Sequence, residues 1–307
     1  MGYSLMVAIL LGMILGGTSS AVVIPLVNNL EMKQKYGSVL MLESALSDVL
    51  CIIGTLTILE IIETKQIIAS NIFRSILSSF SLALFVGGIV GIVWVFILSK
   101  YDTLSKSEIV TIGLLMGLYS FVESSYVQAS GAIAALSFGL ILGNSKYILN
   151  SKNNNNNKKN KETIRSVVSS SSLNFYSEIS FFVKTFFFVY LGMLIDFSNL
   201  MVFIYGFILT IGMYLVRPFA VRITFSNIIE HRERIFLEIL IPKGLAAAVL
   251  AGVAVQAGVF GENAGFVINL ILSTVLLSIL FTSILIFLTE KNLFKGFLPF
   301  LHKKNIK

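Results

Sequence analysis

Residues 42–53 read LESALSDVLCII, an apolar run with two carboxylates and two hydroxyls at its centre. A charged side chain near the middle of a bilayer costs at least about 2.5–3.5 kcal/mol on insertion scales, so acids in such a run need a partner or a task. On a helix Ser44 and Asp48 lie four residues apart on one face, and Glu43 and Ser47 form a second such pair. Glu43 and Asp48 are five residues apart, about 140° around the axis, so the two acids address different neighbours.

The rest of the chain places this run in lipid. Of 307 residues, 56% are hydrophobic and only 13% charged, with a mean hydropathy of +0.88; a soluble domain carries about 25% charged residues. About nine apolar segments are long enough to cross a bilayer, at 3–27, 37–61, 75–99, 108–125, 129–147, 178–196, 199–223, 235–257 and 264–289. Of the 23 Lys and Arg residues, 18 follow odd-numbered segments. They are Lys33, Lys35, Lys100, Lys106, six from Lys146 to Arg165, Arg222, Arg232, Arg234 and five from Lys291 to Lys307. Only Lys65 and Arg74 occupy the opposite loops. This bias predicts a multi-pass protein of the plasma membrane with the N-terminus outside and the C-terminus in the cytoplasm. The basic balance (pI 9.4) is thus a topology signal, and nucleic acid is not an expected partner.

The apolar N-terminus lacks the positive start of a secretory signal and continues at once into AVVIPLV, so it reads as a first spanning segment. The stretch 150–165, NSKNNNNNKKNKETIR, reads as a disordered cytoplasmic loop, and VVSSSSLNFYSEIS (167–180) as an interfacial stretch. The aromatic, basic tail 291–307 suits the cytoplasmic headgroups. One cysteine, Cys51, and two distant histidines, His231 and His302, give a disulfide, a thiolate cluster or a resident metal nothing to build on. No nucleophile–base pair or phosphate loop is readable, so neither enzymatic activity nor a cofactor is expected.

Two segments carry interruptions. GGTSSAVVIPLV (16–27) sets two glycines, Thr18, Ser19, Ser20 and Pro25 inside an apolar run; LIPKGLAAAVLAG (240–252) sets Pro242 and Gly244 around Lys243. A break at membrane depth is tolerated where it meets protein or lines a cavity, and half-helix ends then offer carbonyls and amides to ions. A kinked but unbroken helix is the alternative for the first. Arg217-Pro218 lies in the seventh segment, where Arg217 either enters the protein or snorkels to headgroups.

In order along the chain, these motifs resemble the monovalent cation/proton antiporters, sodium/proton exchanger branch. LESALSDVL is similar to that family's Glu-Ser-x-x-Asn-Asp signature and GTSSAVV to its Thr-Asp-Pro unwound helix. IPKGLAAAV is similar to its Arg-Gly broken helix and SGAIAALSFGLILGN (130–144) to its Ser-Gly-x-x-Ala…Gly-x-x-x-Gly-Asn helix; FFFVYLGMLID and LVRPFAV also have counterparts. The resemblance implies an all-α, polytopic inverted-repeat bundle with two interrupted, crossing helices. It implies an ion-binding core from 1–62 and 199–290, a linker helix at 75–99 and an interface domain over 108–196. The chain reads as a member short of four N-terminal helices, homodimeric in the bilayer once these are supplied.

Carried over by position, Asp48 is implied as the carboxylate that takes a cation and a proton in turn, with Ser44 and Thr18 as ligands. Ser47 and Ser19 stand where the family has acids or an asparagine. Glu43 is implied to pair with Lys243, and Arg217 falls where electrogenic members place a lysine. The implied function is Na⁺/H⁺ exchange by alternating access. A K⁺/H⁺ exchanger of the same fold, or a truncated or split-gene fragment serving assembly or regulation, are the alternatives.

Overall fold

The computed structural model describes residues 5–64, 69–100, 107–124, 126–127, 129–153, 168–225, 229–291 and 293–294. Most of the loop expected at 150–165 and of the tail at 291–307 lies outside the described residues. Among these residues every regular element is helical: α1 (Leu5–Gly16), α2 (Ser20–Asn29), α3 (Gln34–Thr64), α4 (Ala69–Lys100), α5 (Ser107–Glu123), α6 (Gly131–Gly143), α7 (Ser145–Asn153), α8 (Ser170–Leu194), α9 (Leu200–Thr224), α10 (His231–Ile239), α11 (Leu245–Gln256) and α12 (Ala264–Glu290).

Among the described residues, six helical stretches have the length and hydropathy to cross a bilayer: Leu5–Asn29, Gln34–Thr64, Phe80–Lys100, Ser170–Leu194, Leu200–Thr224 and Gly261–Glu290. The other three expected segments hold shorter helices. α5 has 17 residues and α6 has 13; the eighth segment is split into α10 and α11, of 9 and 12 residues. Of the stretch expected along the interface at 167–180, the residues from Ser170 onward form the start of α8, which runs unbroken because nothing in its sequence stops a helix before Gly192. α7 continues to Asn153, so the first residues of the expected loop are helical.

The chain divides into two compact units, residues 1–66 with 186–307, and residues 67–185. In the second unit α4 lies close against α6. A Cβ on Gly87 would stand 2.2 Å from the Ala134 carbonyl oxygen, and one on Gly91 would meet Ile141 at 2.9 Å. Two glycines four residues apart thus let the backbones touch, the small-residue route to helix packing in lipid. Ser137 donates to the Leu84 carbonyl across this seam, and Trp94 Nε1 donates to Thr111 at 2.9 Å.

The first unit is built from α1–α3, the end of α8 and α9–α12. Its apolar interior forms two clusters. One joins α1, α3, α11 and α12 through Leu10, Ile14, Cys51, Ala251 and Ile271. The other joins α2, α9, α10 and α12 through Val23, Tyr214, Phe236, Leu240 and Ile286. Each half of an interrupted helix therefore shares a cluster with one half of the other. Pro25 sits inside α2 without ending it; the break lies before it, at the glycines. At the α2–α3 turn Lys33 pairs with Glu230, whose carboxylate raises the Lys33 ammonium above its ordinary value, and the Lys33 amide donates to Glu233 at 3.1 Å.

Candidate functional site

Between α1 and α2 the segment Gly17–Ser19 is not helical, and between α10 and α11 neither is Leu240–Gly244. The two breaks cross. The Ser19 amide donates to the Pro242 carbonyl at 2.8 Å. A Cβ on Gly244 would fall 2.1 Å from Ser19 Oγ and 2.6 Å from Ser19 Cβ. The φ of −159° at Gly244 is ordinary extended backbone, so glycine is required there by proximity alone.

Each break is tied to a continuous helix by a serine. The Thr18 amide donates to Ser47 Oγ of α3 at 3.0 Å, and the Lys243 amide donates to Ser278 Oγ of α12 at 2.9 Å. Both hydroxyls donate in turn to the carbonyl three residues earlier, Ser44 and Val275.

The ends of the first broken helix carry charges of the right sign. A helix C-terminus leaves carbonyls without intrahelical donors and favours a cation; an N-terminus favours an anion. The Lys243 side chain, 4% exposed, donates from Nζ to the carbonyls of Gly17 at 2.9 Å and Gly16 at 3.3 Å, beside the end of α1. Asp48 stands at the start of α2, its Oδ2 accepting the Ser20 hydroxyl at 3.1 Å. Asp48 is half-buried, and among the described residues no Lys or Arg nitrogen lies within ion-pair distance of it.

The pairing expected for Glu43 is corrected. Glu43 is held by Arg217, whose Nη1 and Nη2 donate to its two oxygens in a bidentate pair while Nε donates to the Leu237 carbonyl at 2.9 Å. The planar guanidinium fork suits a carboxylate and a carbonyl together. Lys243, the expected partner, is instead engaged by the glycine carbonyls. Arg217 therefore does not snorkel; its side chain is 14% exposed.

A cavity of about 820 Å³ opens beside the crossing, between α1, α3 and α9. Its polar wall is Thr18, Glu43, Ser47, Arg217 and Lys243. The crossing thus brings together Thr18, Ser19, Ser47, Asp48 and Lys243, with Glu43 and Arg217 along the cavity. Ser44 stands apart: it is fully buried and donates to the Met41 carbonyl at 2.9 Å. Asp48 is not part of the cavity wall; as the 140° separation requires, it and Glu43 meet different surroundings. Sequence reasoning missed Ser20 and Ser278. Ser20 was visible as the third hydroxyl of the triplet; Ser278 gave no signal in an unbroken apolar helix.

A model of the family described as sodium/hydrogen exchanger, transmembrane, matches residues 1–291. The chain belongs to the sodium/hydrogen exchanger family. It is 27% identical over 281 residues to the K(+)/H(+) antiporter NhaP2 of Shewanella sp. (strain MR-4), covering 89% of this chain and 45% of that protein. It is 28% identical over 260 residues to the Probable Na(+)/H(+) antiporter 2 of Methanocaldococcus jannaschii, covering 80% of this chain and 57% of that one. The solved sodium proton antiporter MjNhaP1 of M. jannaschii at pH 8 shares the fold, with a TM-score of 0.71 and 22% identity over 92% of this chain and 70% of that chain. The chain spans about half the length of the curated relatives it matches. As an exchanger-family protein with six helical stretches of crossing length among the described residues, it is a multi-pass membrane protein.

Proposed function

We propose that this exchanger-family chain is the ion-handling part of a secondary antiporter that swaps a monovalent cation, sodium in the first reading, for a proton by alternating access. One observation carries the reading: Asp48 sits at a helix break in the membrane with a hydroxyl donor and, among the described residues, no fixed cationic partner. A carboxylate carried through lipid must be neutralised. Either a proton or a monovalent cation does this, and one seat cannot hold both. A single such acid gives a one-for-one, electroneutral exchange.

In this reading Asp48 is the alternating ligand, and Thr18 and Ser47 offer oxygens, as does Ser19 at the crossing. Ser44 acts through the backbone it bonds. The Glu43–Arg217 pair and Lys243 hold the broken helices in place. Residues 1–62 and 199–290 form the moving, ion-binding part, 108–196 the static part and 75–99 the link. The N-terminus is outside, the C-terminus cytoplasmic, and the working unit is a homodimer in the bilayer.

Potassium is the second reading, favoured by the name of the NhaP2 relatives. Because the chain spans about half of those proteins, a third reading is a fragment that serves assembly or regulation. Dequenching of a pH-sensitive dye in proteoliposomes, with Na⁺, Li⁺ and K⁺ added in turn, separates the three. Exchange that survives Asp48→Asn overturns the mechanism, and no exchange with any cation favours the fragment.

A further inference from the structure

The two oxygens of Asp48 have unequal surroundings. Oδ2 accepts the Ser20 hydroxyl at 3.1 Å. Oδ1 faces the bare Cα of Gly17, where an added Cβ would stand 3.2 Å from it and 3.2 Å from Cys51 Sγ. Ser20 is the first residue of α2, and the N-cap residue Ser19 makes no side-chain capping bond. The carboxylate of Asp48 lies beside this uncapped start, held by the hydroxyl of the helix's own first residue.

We infer that Ser20 is a positioning residue for exchange at Asp48: it anchors Oδ2 and leaves Oδ1 to take the proton or the monovalent cation. The inference rests on the reading of Asp48 as the shared seat. A hydroxyl has a single proton to donate. Donation to an ionised carboxylate is roughly twice as strong as donation to a neutral acceptor. The bond therefore keeps its strength when a cation neutralises Asp48, because the carboxylate stays ionised. It weakens when a proton binds. Ser20 thus tilts the competition toward the cation.

The other titratable groups facing Asp48 are Cys51 on its own helix and Lys243 from the second break. Neither is held by Ser20: Cys51 packs on Gly16 and Gly17, and Lys243 bonds their carbonyls. Glu43 and Arg217 are bound to each other. A change at Ser20 therefore acts on the Oδ2 bond alone.

The test is thermal unfolding of the purified chain in detergent, with NaCl or KCl against choline chloride, from mildly acidic to alkaline pH. Cation stabilisation of the wild type should rise with pH through a midpoint. Ser20→Ala should move that midpoint alkaline by roughly one pH unit, the worth of one hydrogen bond to a charged group. Ser20→Thr, which keeps the hydroxyl, should leave it in place. Ser20→Cys, a weak donor of similar volume, should shift it the same way and replaces alanine if that variant does not fold. An unmoved midpoint in the alanine and cysteine variants, with stabilisation lost in Asp48→Asn, overturns the role of Ser20 and leaves Asp48 standing. Cation stabilisation that persists in Asp48→Asn, or is absent from the wild type, overturns both.

Discussion

The Lys243 amide donates to the Ser278 hydroxyl at 2.9 Å, and the Thr18 amide makes the matching bond to Ser47 at 3.0 Å. One break is thus latched to α3 and the other to α12 by the same two-bond relay, amide to serine and serine to the carbonyl three residues back. Ser278 is fully buried, whereas Ser47 is half-buried and lines the cavity. An unmet amide in a dry site costs about 1–3 kcal/mol, while one that water can reach costs less. Ser278→Ala should therefore destabilise the protein more than Ser47→Ala in detergent unfolding experiments. Equal costs would mean that water reaches both latches.

Gly244 and Ser19 occupy the crossing itself. A methyl at 244 collides not only with the rotatable Ser19 hydroxyl but with Ser19 Cβ at 2.6 Å, which rotation cannot move. Overpacking of this kind costs about 1–3 kcal/mol or more. Gly244→Ala should lower the yield of monodisperse protein, and Ser19→Gly in the same chain should restore much of it. Without such rescue, the close approach is not what requires glycine at 244.

Glu43 and Arg217 should behave as one unit. Removing one partner of a well-buried pair costs about 3–5 kcal/mol, but Glu43 is 35% exposed, which lowers the expectation to about 1–3 kcal/mol. Glu43→Gln and Arg217→Gln should each destabilise, and the double variant should cost less than their sum. Arg217→Lys should not restore stability, because an ammonium cannot serve both carboxylate oxygens and the Leu237 carbonyl. Additive losses in a double-variant cycle of unfolding midpoints would deny the pairing.

The parts of this site that were legible in sequence are those that break a pattern. The acids inside LESALSDVL, the glycines of the first segment, and Pro242 and Gly244 of the eighth conflict with an apolar helix, and each marks a real feature of the crossing or of the cavity beside it; Pro25 alone marks no break. Partner choice was not legible. The sequence offers Glu43 three cations inside spanning segments, Lys184, Arg217 and Lys243, and only the rotation of α9 and the path of the second break decide that Arg217 meets it. Ser278 illustrates the other limit. A serine in a membrane helix usually bonds its own backbone, and nothing in LILSTVLLSIL says that one of its serines also receives an amide from another segment. The start of α8 shows that scattered serines do not by themselves lift a stretch out of a spanning helix.

Competition at a single carboxylate has a quantitative signature. If Asp48 takes either a proton or a cation, each tenfold rise in proton activity on the acid side must be matched by a tenfold rise in cation to hold the same occupancy. The cation concentration for half-maximal exchange should therefore climb about tenfold per pH unit at acid pH and level off at alkaline pH, where the seat is already free of protons. The maximal rate at saturating cation should change much less over the acid limb. A second titrating group that gates the site, such as Lys243 in its cradle of Gly16 and Gly17 carbonyls, predicts the reverse: a rate that falls at acid pH and cannot be recovered with cation. Dye dequenching in proteoliposomes over a matrix of pH and cation concentration distinguishes the two. A half-maximal concentration that stays flat with pH would remove Asp48 from the role of shared seat.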